Sequence, residues 1–330
     1  MKEKELKIGI IGCGGIARAH INGYAQNGNV ELVAFCDVRK DNAQQRANEF
    51  KGRSYTDYKK MIEEEELDGI SICTPPFTHK EIAVEVLNKG INVFCEKPLA
   101  VSINEAKEMV GSAHNNEVLL MTAFKFRFFD EILRAKQLIS QGEIGKIIMF
   151  RNMFGGTVDM SKRWFSKKEI SGGGVLIDNG VHAVDLFRFL FGEVKNVSAR
   201  VATFIQDIEV EDTARILLEM ESGSFGTVDL SWSIPYPQPF YLEVYGSEGS
   251  IMVGWDILRY QTNKTKKWTE VRGGPKEENA FIKEINHFVN CIKGRETPIV
   301  SGVDGLRALE IIEAAYRSNE EKVWINIKRD

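Results

Sequence analysis

The stretch Leu6-Lys7-Ile8-Gly9-Ile10-Ile11-Gly12-Cys13-Gly14-Gly15-Ile16-Ala17 decides how the rest of the chain is read. A short apolar run ends in G-x-G-x-x-A, the pattern of a buried strand turning sharply into a helix. Gly12 permits the tight turn, and Gly14 lets backbone N–H groups approach a pyrophosphate. Gly15 and Ile16 complete the loop, and Ala17 allows close helix-to-strand contact while the helix N-terminus faces the anion. The next apolar run, VELVAFCD, ends in Asp37. There a carboxylate can accept hydrogen bonds from a ribose diol and repel a 2′-phosphate, which favours NAD over NADP as cofactor. Arg39 reads either as a solvated cation or as a group able to reach a 2′-phosphate.

Outward from this motif, residues 1–123 alternate short apolar strands with amphipathic helices. LKIGIIG precedes a helix from Gly15, VELVAFCD precedes one from about Lys40, and GISICTP precedes one from His79 to Lys89 that Gly90 closes. INVFCE, a helix opened by the capping box Ser102-x-x-Glu105, and VLLMTAF follow. Strands rich in Val, Ile, Phe and Cys without polar alternation predict a parallel sheet covered on both faces, an α/β Rossmann domain. Residues 124–330 predict an α+β domain with an open, mostly antiparallel sheet. A helix over about 130–141 leads into KIIMFRNMF, and strands with period-two alternation follow residue 195. Helices near 277–293 and 303–319 precede a terminal VWINI. In the segment 225–234, Val228, Leu230, Trp232 and Ile234 face one way and Thr227, Asp229, Ser231 and Ser233 the other. Phe225, Ala214 and Ile216 are read as apolar residues on the second face, which predicts burial by a partner in a homodimer or homotetramer.

A chain of 330 residues with 43% hydrophobic and 27% charged residues is an ordinary folded protein of two domains that share one site. A formal charge of −4 without a dense Lys/Arg block argues against nucleic acid or an anionic membrane as partner and for a small molecule. The odd number of cysteines, five, without a C-x-x-C pair reads as reduced core thiols and predicts no metal site. The first apolar run is too short for a signal peptide, and no run is long enough to span a bilayer, so the expected location is cytoplasmic.

Two segments carry chemistry. Glu96-Lys97-Pro98 follows the strand INVFC and so falls at the carboxyl end of a parallel sheet, where α/β folds bind ligands. Proline confines Lys97 to extended backbone and admits a cis peptide. A lysine held there can stabilise a developing alkoxide or polarise a carbonyl, while position alone is equally compatible with a surface Glu-Lys pair. In SGGGVLIDNGVHAVDLFRFL, Asp178 and His182 are spaced i, i+4 and share a helix face. Imidazole titrates near neutrality, so His182 is a credible general base with Asp178 orienting it or the substrate. The alternatives are Asp178 as an N-cap and His182 as a packing residue, and Asp185 competes with Asp178 as the partner. Arg127, Arg163, Trp164 and Tyr236 read as pocket-lining or as packing residues.

The carriers GCGGIA (12–17), Asp37, CTPPFTH (73–79), EKP (96–98) and GGGVLIDNGVH (172–182), in this order, resemble the Gfo/Idh/MocA oxidoreductase family. The resemblance runs end to end. It implies a Rossmann domain, then an open antiparallel domain whose sheet mediates oligomer contacts and whose last helix packs back on the first domain. It also implies Lys97 as catalytic lysine, His182 as acid/base and Asp178 as its companion. Thr74, Pro75 and His79 fall in the loop beside the nicotinamide ribose, and Trp164 near the nicotinamide or substrate. Glu96 and Pro76 belong to the same cofactor-facing segments. Two departures stand out: Pro76 and Phe126 occupy positions where many relatives carry Asn. The implied activity is hydride transfer between nicotinamide and a hydroxyl-bearing carbon of a sugar, sugar derivative or cyclitol. An NAD-dependent glycosidase and a catalytically silent regulator are the alternatives.

Overall fold

A computed structural model describes residues 4–235, 239–273 and 279–328. Contacts divide the chain into two units, residues 1–125 with 277–306, and residues 126–276 with 307–330.

The first unit is built on β1 (Leu6–Ile11), α1 (Ala17–Ala25), β2 (Val30–Cys36), α2 (Lys40–Phe50), β3 (Arg53–Tyr55), α3 (Tyr58–Glu64) and β4 (Gly69–Ile72). It continues with α4 (His79–Asn88), β5 (Asn92–Cys95), α5 (Ile103–Asn115) and β6 (Leu120–Thr122). Six strands pair in the order β3-β2-β1-β4-β5-β6, every pair parallel. The order reverses between β1 and β4, and such a switch point is where open parallel sheets take ligands. Burial on both sheet faces explains the unalternating strand sequences: Ile8, Ile10, Ile70, Ile72, Val93, Phe94 and Cys95 are fully inaccessible. Gly90 lies in the left-handed region (φ +77°), closing α4 as expected. The Ser102 hydroxyl accepts the Glu105 N–H at the head of α5. β3 and α3 are too short to show a period, and sequence reasoning did not anticipate them.

The second unit holds α6 (Asp130–Ser140), β7 (Ile147–Gly155), α7 (Lys168–Ser171), α8 (Val175–Asp178), α9 (Gly180–Phe191), β8 (Val194–Ala202), β9 (Thr213–Met220) and β10 (Phe225–Ser231). β11 (Phe240–Gly246), β12 (Gly249–Gly254), β13 (Ile257–Thr262) and β14 (Thr269–Arg272) complete its run of strands. α10 (Ala280–Ile292), α11 (Gly302–Glu321) and β15 (Ile325–Asn326) end the chain. The nine strands run β14-β13-β12-β11-β7-β10-β9-β8-β15, antiparallel except for the β7–β10 pair. On the inner face the Phe150 ring meets Phe187 and Phe191 of α9, with centroids 4.4 and 4.5 Å apart.

Register corrects one expectation about this sheet. Ile216 pairs with Val228 and Ala214 with Leu230, so all four share the inner face, and Ala214 and Ile216 are 3% and 0% exposed. No partner is needed to bury them. The outer face carries Phe225 beside Met149, 50% and 41% exposed, together with Thr227 and Arg215. Both C-terminal helices take part in the first unit. α10 packs on α1, with Gly23 against Ile285, and α11 starts there with Gly302 against Leu120 and Gly305 against Thr122, whereas from Arg307 onward it belongs to the second unit.

Candidate active site

The glycine motif folds into the turn its residues demand. Gly12 has φ +87°, and a Cβ there would stand 2.7 Å from the Cys73 carbonyl carbon, so the loops after β1 and β4 touch through a position that only glycine fills. Around Gly14 and Gly15 the opposite holds: a Cβ on either would meet nothing within 4 Å. This open cradle at the head of α1 suits an anion approaching backbone N–H groups. Asp37 braces the cradle. Its Oδ2 accepts the Cys13 N–H (2.9 Å) and the Asn42 amide (3.1 Å), and its Oδ1 accepts the Arg39 N–H (2.8 Å). Carboxylate oxygens accept more than one hydrogen bond each, so Oδ1 retains capacity for a ribose hydroxyl. The Arg39 side chain is 74% exposed and 4.0 Å from that oxygen, a solvated cation and not a committed partner. A dinucleotide therefore fits these residues.

Lys97 follows β5 at the carboxyl end of the same sheet, and the Lys97–Pro98 peptide is cis. Its neighbour Glu96 is 7% exposed, and each of its oxygens has a partner: Oε1 lies 2.9 Å from His20 Nε2 and Oε2 accepts the Lys97 N–H (3.1 Å). Burial pushes the Glu96 carboxyl up, yet the His20 contact and the charges of His20 and Lys97 outweigh it and hold the group below the usual carboxylate range. His79 is wholly buried, with Nε2 2.8 Å from the Thr74 carbonyl and Nδ1 3.0 Å from that of Pro98. The side chains of Glu96 and His79 are thus both held within the unit. Both are tied into the unit because a buried polar group must find partners. Thr74 and Pro75 remain partly exposed, while Pro76 is buried at the start of a 3₁₀ turn, Pro76–Thr78. Burial pushes the Cys13 and Cys36 thiols up to about 12 and those of Cys73 and Cys95 well above their ordinary range, so they are neutral packing groups.

In the second unit, α8 and α9 follow one another through Asn179, whose backbone is helical, so Asp178 and His182 keep their i, i+4 relation. Asp178 caps neither helix, since Gly174 and Asn179 hold those positions. His182 is 7% exposed and meets the Phe126 ring edge-on, centroids 5.1 Å apart. Asp185 pairs with an arginine. That carboxylate, 1% exposed, receives Arg127 through Nε (2.9 Å) and Nη2 (2.5 Å). Arg127, read from sequence as a pocket-lining or a packing residue, is 4% exposed and lies over the Phe189 ring, so it acts as an internal strut. Arg163 is exposed, and Trp164 is half-buried and stacked on Phe165. Tyr236 lies outside the described residues.

Sequence reasoning missed what holds the glycine run. Gly173 and Gly174 would drive a Cβ to 2.1 Å from the Tyr316 hydroxyl and the Glu211 carbonyl oxygen, respectively. Glu211 Oε1 accepts the Gly174 and Leu176 N–H groups, both at 3.0 Å, and the Tyr316 hydroxyl at 2.7 Å. Burial raises the Glu211 carboxyl above its ordinary range, opposed by these hydrogen bonds. The segment leading to Asp178 and His182 is anchored at its N-terminal end in this way. The alternation of β9 signals only that strand and gives no sign that the Glu before it is a cap.

Comparison with known proteins agrees with this geometry. Residues 6–124 match the profile described as "Oxidoreductase family, NAD-binding Rossmann fold", and residues 132–252 match the "GFO/IDH/MocA C-terminal domain". The chain is 30% identical to a scyllo-inositol 2-dehydrogenase (NAD(+)) of Bacillus subtilis over 99% of this chain and 98% of that protein. The chain belongs to the Gfo/Idh/MocA oxidoreductase family. A myo-inositol 2-dehydrogenase of Thermotoga maritima, another relative, is 29% identical over 98% of this chain and 99% of its own. Among solved structures, an oxidoreductase from Agrobacterium radiobacter in complex with NAD+, L-tartaric acid and magnesium superposes with a TM-score of 0.89. It is 25% identical, with 98% of this chain and 99% of that one covered. As a Gfo/Idh/MocA oxidoreductase the chain has an NAD-binding Rossmann domain as its first unit. Among the described residues no helix is long and apolar enough to cross a membrane.

Proposed function

We propose that this Gfo/Idh/MocA oxidoreductase is an NAD-dependent dehydrogenase acting on a secondary hydroxyl of a sugar, sugar derivative or cyclitol. The observation that carries the reading is the gathering, at the carboxyl ends of β1, β2 and β5, of an open glycine cradle, the Asp37 carboxylate and Lys97. The inositol substrates named for the two curated relatives support the polyhydroxylated class. NAD held by the Gly12–Ala17 cradle and Asp37 would supply the two-electron acceptor for the hydride of the carbinol carbon. The residues of the chain do the rest. The ammonium of Lys97 donates to the substrate oxygen as its negative charge grows, His182 accepts the hydroxyl proton, and Asp178 orients the substrate or the imidazole. Asp37 selects the unphosphorylated ribose, which favours NAD over NADP.

A screen of sugars, inositols and sugar acids with NAD and with NADP, read by the absorbance of the reduced nicotinamide, is expected to find net NADH formation on at least one polyol. Glycoside cleavage without net NADH, or silence across the panel despite tight cofactor binding, would reject the assignment. We also propose a homodimer or homotetramer in which the outer face of the second sheet meets a second copy. The exposed neighbours Phe225 and Met149, with half-buried Leu217, support that reading. A monomeric mass by light scattering would contradict it.

A further inference from the structure

The four residues Glu96, Lys97, Pro98 and Leu99 leave β5 as a loop, and two imidazoles grip that loop at opposite ends. At its head, Glu96 Oε1 lies 2.9 Å from His20 Nε2, while Oε2 accepts the N–H of Lys97 itself. At its tail, His79 Nδ1 lies 3.0 Å from the Pro98 carbonyl oxygen and 3.3 Å from that of Leu99. Both rings are 0% exposed. His20 Nδ1 lies 3.2 Å from the Ser71 hydroxyl, itself 2.8 Å from the Tyr24 hydroxyl, which ties that ring to β4; His79 Nε2 lies 2.8 Å from the Thr74 carbonyl, and a neutral ring, with one N–H, donates either there or to the Glu96–Leu99 loop.

A buried ring that only fills space is better made of carbon, because an imidazole inside the protein costs free energy unless its nitrogens are satisfied. Here two such rings converge on one short loop, and their contacts fall on the residues immediately before and after Lys97. Lysine needs that restraint. Its amine rides on a flexible four-carbon stem, and a misplacement of about 1 Å at a reacting centre is costly. We infer that His20 and His79 are positioning residues that clamp the Glu96–Leu99 loop to β4 and to the head of α4, and so hold the Lys97 amine in place for the reaction. This inference rests on the catalytic reading of Lys97 given above.

The test is a double-mutant cycle on the full chain with NAD and a polyol found by the activity screen. His20→Phe and His79→Phe keep a ring of similar bulk and remove the hydrogen bonds, and His20→Asn and His79→Asn serve if a Phe variant does not fold. Each is expected to lower kcat about tenfold or more when Lys97 is present and less than about twofold in the Lys97→Ala background, because residues acting through one group are not additive. The Kd for NAD, read by fluorescence quenching, is expected to stay within about twofold of wild type, as for a change that spares uniform cofactor binding. An equal fold-loss in both backgrounds, or a loss that appears in the NAD Kd instead of kcat, would overturn the clamp. An unchanged kcat in Lys97→Ala alone would instead overturn the catalytic reading of Lys97, and the clamp with it.

Discussion

Lys97→Ala is expected to lower kcat by about a hundredfold to a thousandfold, the scale on which removal of one preorganised donor to a developing oxyanion acts. NAD affinity should hardly change, because the cradle at Gly12–Ala17 and the Asp37 carboxylate belong to other loops of the sheet. His182→Ala should show the same pattern, with a loss of about a hundredfold or more from the missing proton acceptor. The distinguishing measurement is steady-state kinetics beside a direct NAD titration. Unchanged turnover in both variants would remove these two residues from the chemistry, whereas weakened NAD binding with normal kcat would reassign them to the cofactor.

The second large effect concerns stability. Arg127 and Asp185 form a bidentate pair whose side chains are 5% and 1% exposed. Arg127→Leu leaves a buried carboxylate without its bidentate cation, and loss of one member of such a pair costs about 3–5 kcal/mol. A lowered urea midpoint is the expected reading. The double variant Arg127→Leu/Asp185→Leu should recover much of that loss, since two apolar side chains carry no desolvation penalty. If the single variant unfolds at the wild-type midpoint, the pair is not a strut. Asp185 sits on α9 with His182, so the single variant should also disturb activity more than the double one.

The role of this pair shows where reading from sequence stops. Arg127 reads as pocket or packing residue alike because a charged group beside a catalytic segment has no local signal for burial. Asp185 looks like a partner for His182 because i, i+3 spacing puts them near one another on a helix. The structure joins the two: Asp185 receives Arg127, 58 residues away. Glu96 and His79 follow the same logic. Both stand in segments that face a cofactor by sequence position, yet each side chain turns inward to hold another loop, His20 lying 76 residues from Glu96 and Pro98 19 residues from His79.

What sequence alone determined is local. Unalternating apolar strands, the left-handed requirement at Gly12, the capping box at Ser102 and the i, i+4 spacing of Asp178 and His182 are each written within a few residues, because backbone sterics and helical or strand periodicity act over that range. Register across the nine-stranded sheet, which returned Ala214 and Ile216 to the inner face, could not be read that way. Nor could the grip of Glu211 on Gly174, or the two imidazoles around Lys97. Those contacts join residues far apart in the chain, and the only force that selects them is the need of a buried polar group for a partner, which acts once the chain has folded.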